Sequence, residues 1–216
     1  MKSKILSLTV SKPETLEWKE KTISSSMKKK SVNQLVVHKD HIEGDVFAEV
    51  GLHGNKDSIL YIVAKTMGDQ FFQKIGLGPY QNGAIGENIL VDEFDESQIS
   101  VGDIFQIGEV KVQATFPRRP CSKVNFRFQN PDAMKAMLDL KRSGVYFKVI
   151  QPGVIRLTDD VVRLEKAEVP FSIQEAYVLF TKQRSPTQAD YEKLLKNPAF
   201  PEKQLKKLSE MLSAAT

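Results

Sequence analysis

The sequence predicts a mainly β fold: a closed or nearly closed barrel with a few short helices, followed by a small C-terminal three-helix appendage. Three observations predict it. Short apolar or alternating segments recur from residue 2 to residue 165, separated by turns rich in Gly, Asn and Pro. Helical periods are rare in that region, which favours a barrel over a parallel sheet. After about Lys166 the character changes, and three helix starts follow one another. The expected units are residues 1–166 for the barrel and 167–216 for the helical extension.

The elements follow in order. Residues 2–10 alternate Ile5, Leu6, Leu8 and Val10 with smaller or polar residues, as an opening strand does. Lys19–Ser24 and Gln34–His38 are short strand-like pieces, and Ser58–Ala64 is a near-continuous apolar run that reads as a buried strand. Thr66 with Asp69 resembles a helix start; Phe71, Phe72 and Ile75 give that helix one apolar face, and Gly76 can end it. Residues 78–88 are a Gly- and Asn-rich loop, and Ile89–Val91 is a brief strand. Ile104–Ile107 and Val110–Thr115 flank Gly108 and Glu109 as a hairpin, with Val110, Val112 and Ala114 on one face. Pro131–Leu140 is a short helix; Gly144–Ile150, Val154–Leu157 and Val161–Glu165 complete the strands. In the tail, Ser172 with Glu175 is a capping box, Ser185-Pro186 with Gln188 is a second helix start, and Pro201 opens a third helix with Leu205, Leu208, Met211 and Leu212 on one stripe. This appendage has little core of its own. It is expected to pack on the barrel or on a second subunit, which makes it a candidate homodimer interface.

Composition narrows the classes. A chain of 216 residues with 41% hydrophobic and 27% charged residues is ordinary for a globular protein. Its one cysteine, Cys121, excludes an intrachain disulfide and an iron–sulfur cluster held by this chain. No apolar run reaches the length of a bilayer span, and the start MKSKILSLTV is too short and too alternating for a signal peptide, so a cytoplasmic protein is the expectation. The net charge of +4 is compatible with an anionic ligand. Lys28, Lys29 and Lys30 read as a solvated loop tip; without interleaved aromatics, a nucleic-acid-binding barrel is the weakest of the functions considered.

The chemistry concentrates in Phe116–Asn125, FPRRPCSKVN. Arg118, Arg119 and Lys123 surround Cys121, and neighbouring cations favour a thiolate, the form that is both nucleophile and soft metal ligand. Pro117 and Pro120 argue against a helix or a central strand here, so a rigid loop after a strand is expected. His53, in the loop GLHGNKD, is a second candidate for proton transfer or cofactor contact. His38 and His41 read as surface or strand-end residues, and Trp18, Met134 and Met137 as packing.

Residues 117–125 resemble the proline-arginine-x-proline-cysteine-x-lysine signature of the MOSC family, named after the C-terminal domain of molybdenum cofactor sulfurases. Gly86-Glu87-Asn88 is similar to the family's glycine-glutamate-asparagine motif. His53-Gly54 followed by Asp57 is similar to its histidine-glycine-glycine loop, with Asn55 in place of the second glycine. Ser58 stands where the family often has a basic residue, and the tail resembles the three-helix extension of the YiiM-like branch. The resemblance implies a MOSC-type β-barrel that binds the molybdenum cofactor, a molybdopterin, with Cys121 as the protein's ligand to molybdenum. Arg118, Arg119, Lys123, Glu87, Asn88 and Arg142 are then the cofactor-binding candidates, and Cys121 and His53 the catalytic ones. The implied activity is that of an oxidoreductase on small N-hydroxylated substrates, supplied with electrons by a separate donor protein. A sulfur or cofactor carrier using a Cys121 persulfide is the alternative. Pyridoxal phosphate, which larger relatives use in an additional domain, is not expected.

Overall fold

A computed structural model of the protein describes residues 1–48 and 56–213. Seven strands close a barrel in the order β12 (Asp160–Glu165), β8 (Ile104–Ile107), β9 (Val110–Pro117), β10 (Val145–Gln151), β6 (Leu60–Ala64), β7 (Ile89–Val91) and β1 (Lys2–Val10), with β1 returning to β12. The alternation of β1 lets one strand serve several neighbours: Lys2–Lys4 pair with β12, Ile5–Leu8 with β7, and Leu8–Val10 with β4 (Lys30–Val32). All pairings are antiparallel except β6 with β7. A parallel pair requires a crossover, and α1 (Lys65–Lys74) supplies it. Two small ribbons complete the β structure, β2 (Glu14–Trp18) with β3 (Lys21–Ser25), and β5 (Gln34–Val37) with β11 (Gly153–Arg156).

The period-2 pattern of β9 buries Val110, Val112 and Ala114, as expected from the hairpin. The barrel interior is filled by Phe94, Phe105 and Phe147, whose ring centroids lie 5.6–6.3 Å apart. A second aromatic cluster joins α1 to α2 (Lys123–Phe128): Phe128 meets Phe71 at 5.2 Å and Phe72 at 5.6 Å, both edge to face. The α1 start differs from expectation. Ala64 is its N-cap and no side chain caps it; Asp69 instead accepts from Lys65 and from the Tyr80 amide.

The C-terminal helices are α4 (Ile173–Phe180), α5 (Gln188–Leu195) and α6 (Glu202–Ser213). Ser172 and Glu175 form the expected capping box. The second start shifts by two residues: Thr187 caps α5 with Asp190, and Arg184 fixes that carboxylate at 2.6 and 2.7 Å. The helices pack on the barrel. Phe180 and Phe200 lie 4.9 and 6.0 Å from Phe116 of β9, and the Asn197 amide donates to the Val101 and Val169 carbonyls. α4 also reaches α3 (Ala133–Asp139), where Tyr177 donates to the Met137 carbonyl at 3.1 Å. The tail is thereby placed beside the end of β9, where the cysteine stretch begins.

Candidate cofactor and substrate site

β9 runs to Pro117, and Lys123 already opens α2, so the segment between them is shorter and more constrained than a free loop. Pro117 is tolerated because it ends its strand. Arg118 is the anchor, with only 7% of its surface exposed. Its amide donates to the Gly144 carbonyl at 3.3 Å, and its carbonyl accepts from the Ser143 hydroxyl. Its guanidinium donates to the Ile85 carbonyl at 2.6 Å and lies 5.4 Å from the Tyr61 ring centroid. Burial opposes its charge, but Tyr61, Tyr146 and Cys121 hold its pKa above the ordinary value.

The 143–144 turn is itself held from behind. Ser143 and Gly144 donate their amides to the two oxygens of Glu96, at 3.2 and 2.8 Å, and Tyr61 donates to the Ser143 carbonyl at 2.5 Å. Gly144 has φ +85° and a Cβ there would stand 2.6 Å from the Ile62 carbonyl oxygen, so only glycine fits the turn. Burial raises the pKa of Glu96 to about 7 against the pull of those two amides.

This frame presents Cys121, a free and partly exposed thiol, on the wall of a cavity of about 510 Å³. Arg118, Arg119 and Lys123 share that wall, and the Lys123 ammonium donates to the Ser24 carbonyl at 3.0 Å. Arg119 stacks 5.9 Å from the Phe116 ring centroid, and partial burial lowers its pKa. Asn88 also lines the cavity; its side chain accepts from the Tyr61 amide at 3.1 Å and donates to Asp45 at 2.8 Å.

Two of the sequence candidates are not brought to the cavity wall. Glu87 is buried inside its own loop, accepting from the Gly83 and Ile85 amides at 2.6 and 3.3 Å, and burial raises its pKa. Arg142 donates to Gln70 of α1 at 2.7 Å. His53 lies outside the described residues. His38 and His41 stay at the surface beyond β5, stacked 4.4 Å apart. Trp18 packs edge to face on Phe126 at 5.5 Å and Met137 is buried, but Met134 lines the cavity.

The lysine run corrects a sequence expectation. Lys29 is not solvated: its side chain is 6% exposed and pairs at 2.5 Å with Asp45, itself 5% exposed, on the cavity wall. Asp45 also accepts from the Ser11 amide at 2.8 Å, and burial lowers the Lys29 pKa. Lys29, Asp45, Tyr61, Glu96, Lys203 and Gln204 were all missed as site residues. Gly86-Glu87-Asn88 pointed to the loop that contacts Asp45; the others carry no local motif. Among the described residues no group of three or more His, Cys, Asp or Glu is arranged to hold a metal ion.

A barrel of this topology with a cation-flanked cysteine at the end of β9 defines a class, and the MOSC domain family model matches residues 49–162. The chain belongs to the MOSC domain family, and membership ties it to molybdenum-cofactor-related function. Within the family it is similar to YflK of Bacillus subtilis, 30% identical over 173 residues that span 80% of this chain and 78% of YflK. The crystal structure of YiiM from Geobacillus stearothermophilus superposes with a TM-score of 0.78 at 26% identity, over 97% of this chain and 99% of that one. A protein named reductase from Gibberella moniliformis is 33% identical over 95 residues, 44% of this chain but only 17% of that protein. No helix among the described residues is long and apolar enough to cross a membrane.

Proposed function

We propose that the chain is a molybdenum-cofactor-dependent oxidoreductase that reduces small N-hydroxylated compounds, with Cys121 as the protein's ligand to molybdenum. The observation that carries this reading is the placement of the chain's one thiol, with three cations, on the wall of a cavity of about 510 Å³. That volume falls within the usual range of small-molecule sites, roughly 300–1,000 Å³. The donor set fits the group. A molybdopterin dithiolene brings two sulfurs, so one soft thiolate from the protein completes the set, whereas a zinc site requires three or four protein ligands. When bound, this group supplies a two-electron redox centre. The name of the Gibberella relative adds support for redox activity.

The chain's own residues have distinct tasks in this reading. The turn at Ser143 and Gly144 fixes the Arg118 backbone and with it the direction of Cys121. Arg118, Arg119 and Lys123 offer charge-assisted donors to the cofactor's phosphate. Asn88, held between Tyr61 and Asp45, presents a fixed polar surface to the same cavity. Glu87 keeps the Gly83–Ile85 amides in place and acts through that loop. His53 is the proposed proton shuttle. The net reaction takes up two electrons and two protons, breaks the N–O bond and releases water, leaving N–H where N–OH stood. The reductant is a separate electron-donor protein. Residues 1–166 are proposed as the cofactor-binding unit and 167–216 as its extension.

The test is elemental analysis of protein purified from a host that makes the cofactor. Wild type is expected to carry close to one molybdenum per chain, and Cys121→Ser to lose it. Equal trace amounts in both would sink the reading. Intact-mass analysis separates the carrier alternative, which predicts a reducible added sulfur on Cys121.

A further inference from the structure

The helical tail supplies one wall of the cavity, and the proposed function gives that wall no task. Phe180 and Thr181 at the end of α4, with Pro201, Lys203 and Gln204 at the start of α6, line the same space as Cys121. Gln204 is the telling residue. Its carboxamide oxygen is shut off from solvent and has no hydrogen-bond partner among the described residues. Such an orphan costs about 1–3 kcal/mol unless a ligand satisfies it. Gln204 lines the cavity, so a turn about its side-chain torsions would carry the enclosed carboxamide to a ligand, and either end of the amide can bond there.

Charge gathers at the same wall. Lys203 lines the cavity, and Arg119 lines it from the cysteine side. Lys207, one turn beyond Lys203, has its pKa lowered by burial and then by the charges of Arg119 and Lys182, with Glu210 opposing. None of Arg119, Lys182, Lys203 and Lys207 forms an ion pair among the described residues, whereas Lys29, Lys65 and Lys135 each have a carboxylate at 2.5–3.0 Å. Four cations therefore gather near one rim, opposed at Lys207 by Glu210, and an anionic group placed there meets a net positive field.

We propose that the tail wall selects the substrate: the compound reduced here carries an anionic group that sits against Lys203 and Arg119, and a hydrogen-bonding group that engages the Gln204 carboxamide. This rests on the cavity being the substrate site of the proposed reductase and adds the class of substrate, a small N-hydroxylated anion. The tail is then the part of the chain that sets specificity, while the barrel holds the cofactor. Lys182 and Lys207 strengthen the field from outside the cavity.

Calorimetric titration of the cofactor-loaded protein tests this without relying on turnover. The probes are benzamidoxime, which is neutral, and 4-carboxybenzamidoxime, which is not. The carboxylated probe is expected to bind about tenfold more tightly to wild type, the scale of one charge-assisted contact. Lys203→Glu should erase that preference. Gln204→Met should weaken both probes about fivefold, while Lys206→Glu, the same charge change on an exposed position of α6, should keep the preference. Molybdenum content should be unchanged in all three variants. The proposal is overturned if neither probe binds, if wild type binds both equally, or if the preference survives Lys203→Glu. It is also overturned if Lys203→Glu loses molybdenum, since the cations would then serve the cofactor. Selective binding with no amidine product would remove the reductase reading and leave the tail wall as an anion-selective binding surface only.

Discussion

The two walls of the cavity handle polarity in opposite ways. On the barrel wall buried charge is matched by partners. Arg118 reaches the Ile85 carbonyl, and Asp45 receives Lys29, Asn88 and the Ser11 amide. Glu96, behind the wall, holds two amides. On the tail wall Gln204 keeps an unpartnered oxygen, and Lys203 has no ion pair among the described residues. A saturated network is rigid, because moving any member strands another in a low-dielectric setting. An unsaturated surface is ready to accept a group that comes and goes. The difference teaches that one pocket can combine a wall of satisfied, fixed polar groups with a wall that keeps hydrogen-bonding and charge capacity in reserve; in the proposed reading the first suits a resident cofactor and the second an exchanging substrate.

The largest expected effect follows from opening the saturated wall. Asp45→Asn keeps the volume but leaves the Lys29 ammonium buried without a counter-charge. The expected loss is about 3–5 kcal/mol in urea unfolding, the usual cost of breaking a buried pair by one partner. A loss under about 1 kcal/mol would mean that Lys29 escapes to solvent and that the wall is not rigid.

The next effect is a pH dependence. Burial raises Glu96 to about 7 in the folded chain, well above an ordinary carboxylate. Between those two values the folded state holds a proton that the unfolded state has released. The contribution of Glu96 to stability is therefore full below about pH 4.5 and declines as pH rises through about 7, by about 3 kcal/mol in total. Glu96→Gln removes this slope. The stability of wild type minus that of the variant should fall by about 2.5 kcal/mol between pH 5 and pH 8. A flat difference would show that the carboxyl stays ionised and that the turn behind Arg118 is insensitive to pH.

What could be read in the sequence was what its local period records. The β9 pattern, the buried run before α1 and the Ser172–Glu175 cap each depend on neighbours within a few residues, and they appear where expected. The cysteine stretch was legible because its cations are adjacent in sequence. The remainder depends on partners brought from afar. Lys29 looks solvated within three lysines, and only Asp45, carried in by the chain beyond β5, makes it a buried residue. Arg142 looks close to the site in sequence but faces Gln70 of α1. At α5 two overlapping cap patterns compete, and Arg184 decides for Thr187 by clamping Asp190. Lys203 and Gln204 sit on an amphipathic helix that reads only as packing until it is docked beside β9.

The smallest effect is the one that separates the two walls most cleanly. If Gln204 is kept for a ligand, it serves no purpose in folding, and replacing it should help the free protein. Gln204→Met retains an unbranched side chain of good helix propensity and removes a buried carboxamide with an unpartnered oxygen. The expected gain is about 0.5–1 kcal/mol, a rise of roughly 1–4 °C in Tm for a chain of this size, as when a site is relieved of a group held for function. The same substitution is expected to weaken ligand binding, so stability and affinity should move in opposite directions. A loss of more than about 1 kcal/mol would show that the amide supports the docking of α6, and the tail wall would then belong with the saturated one.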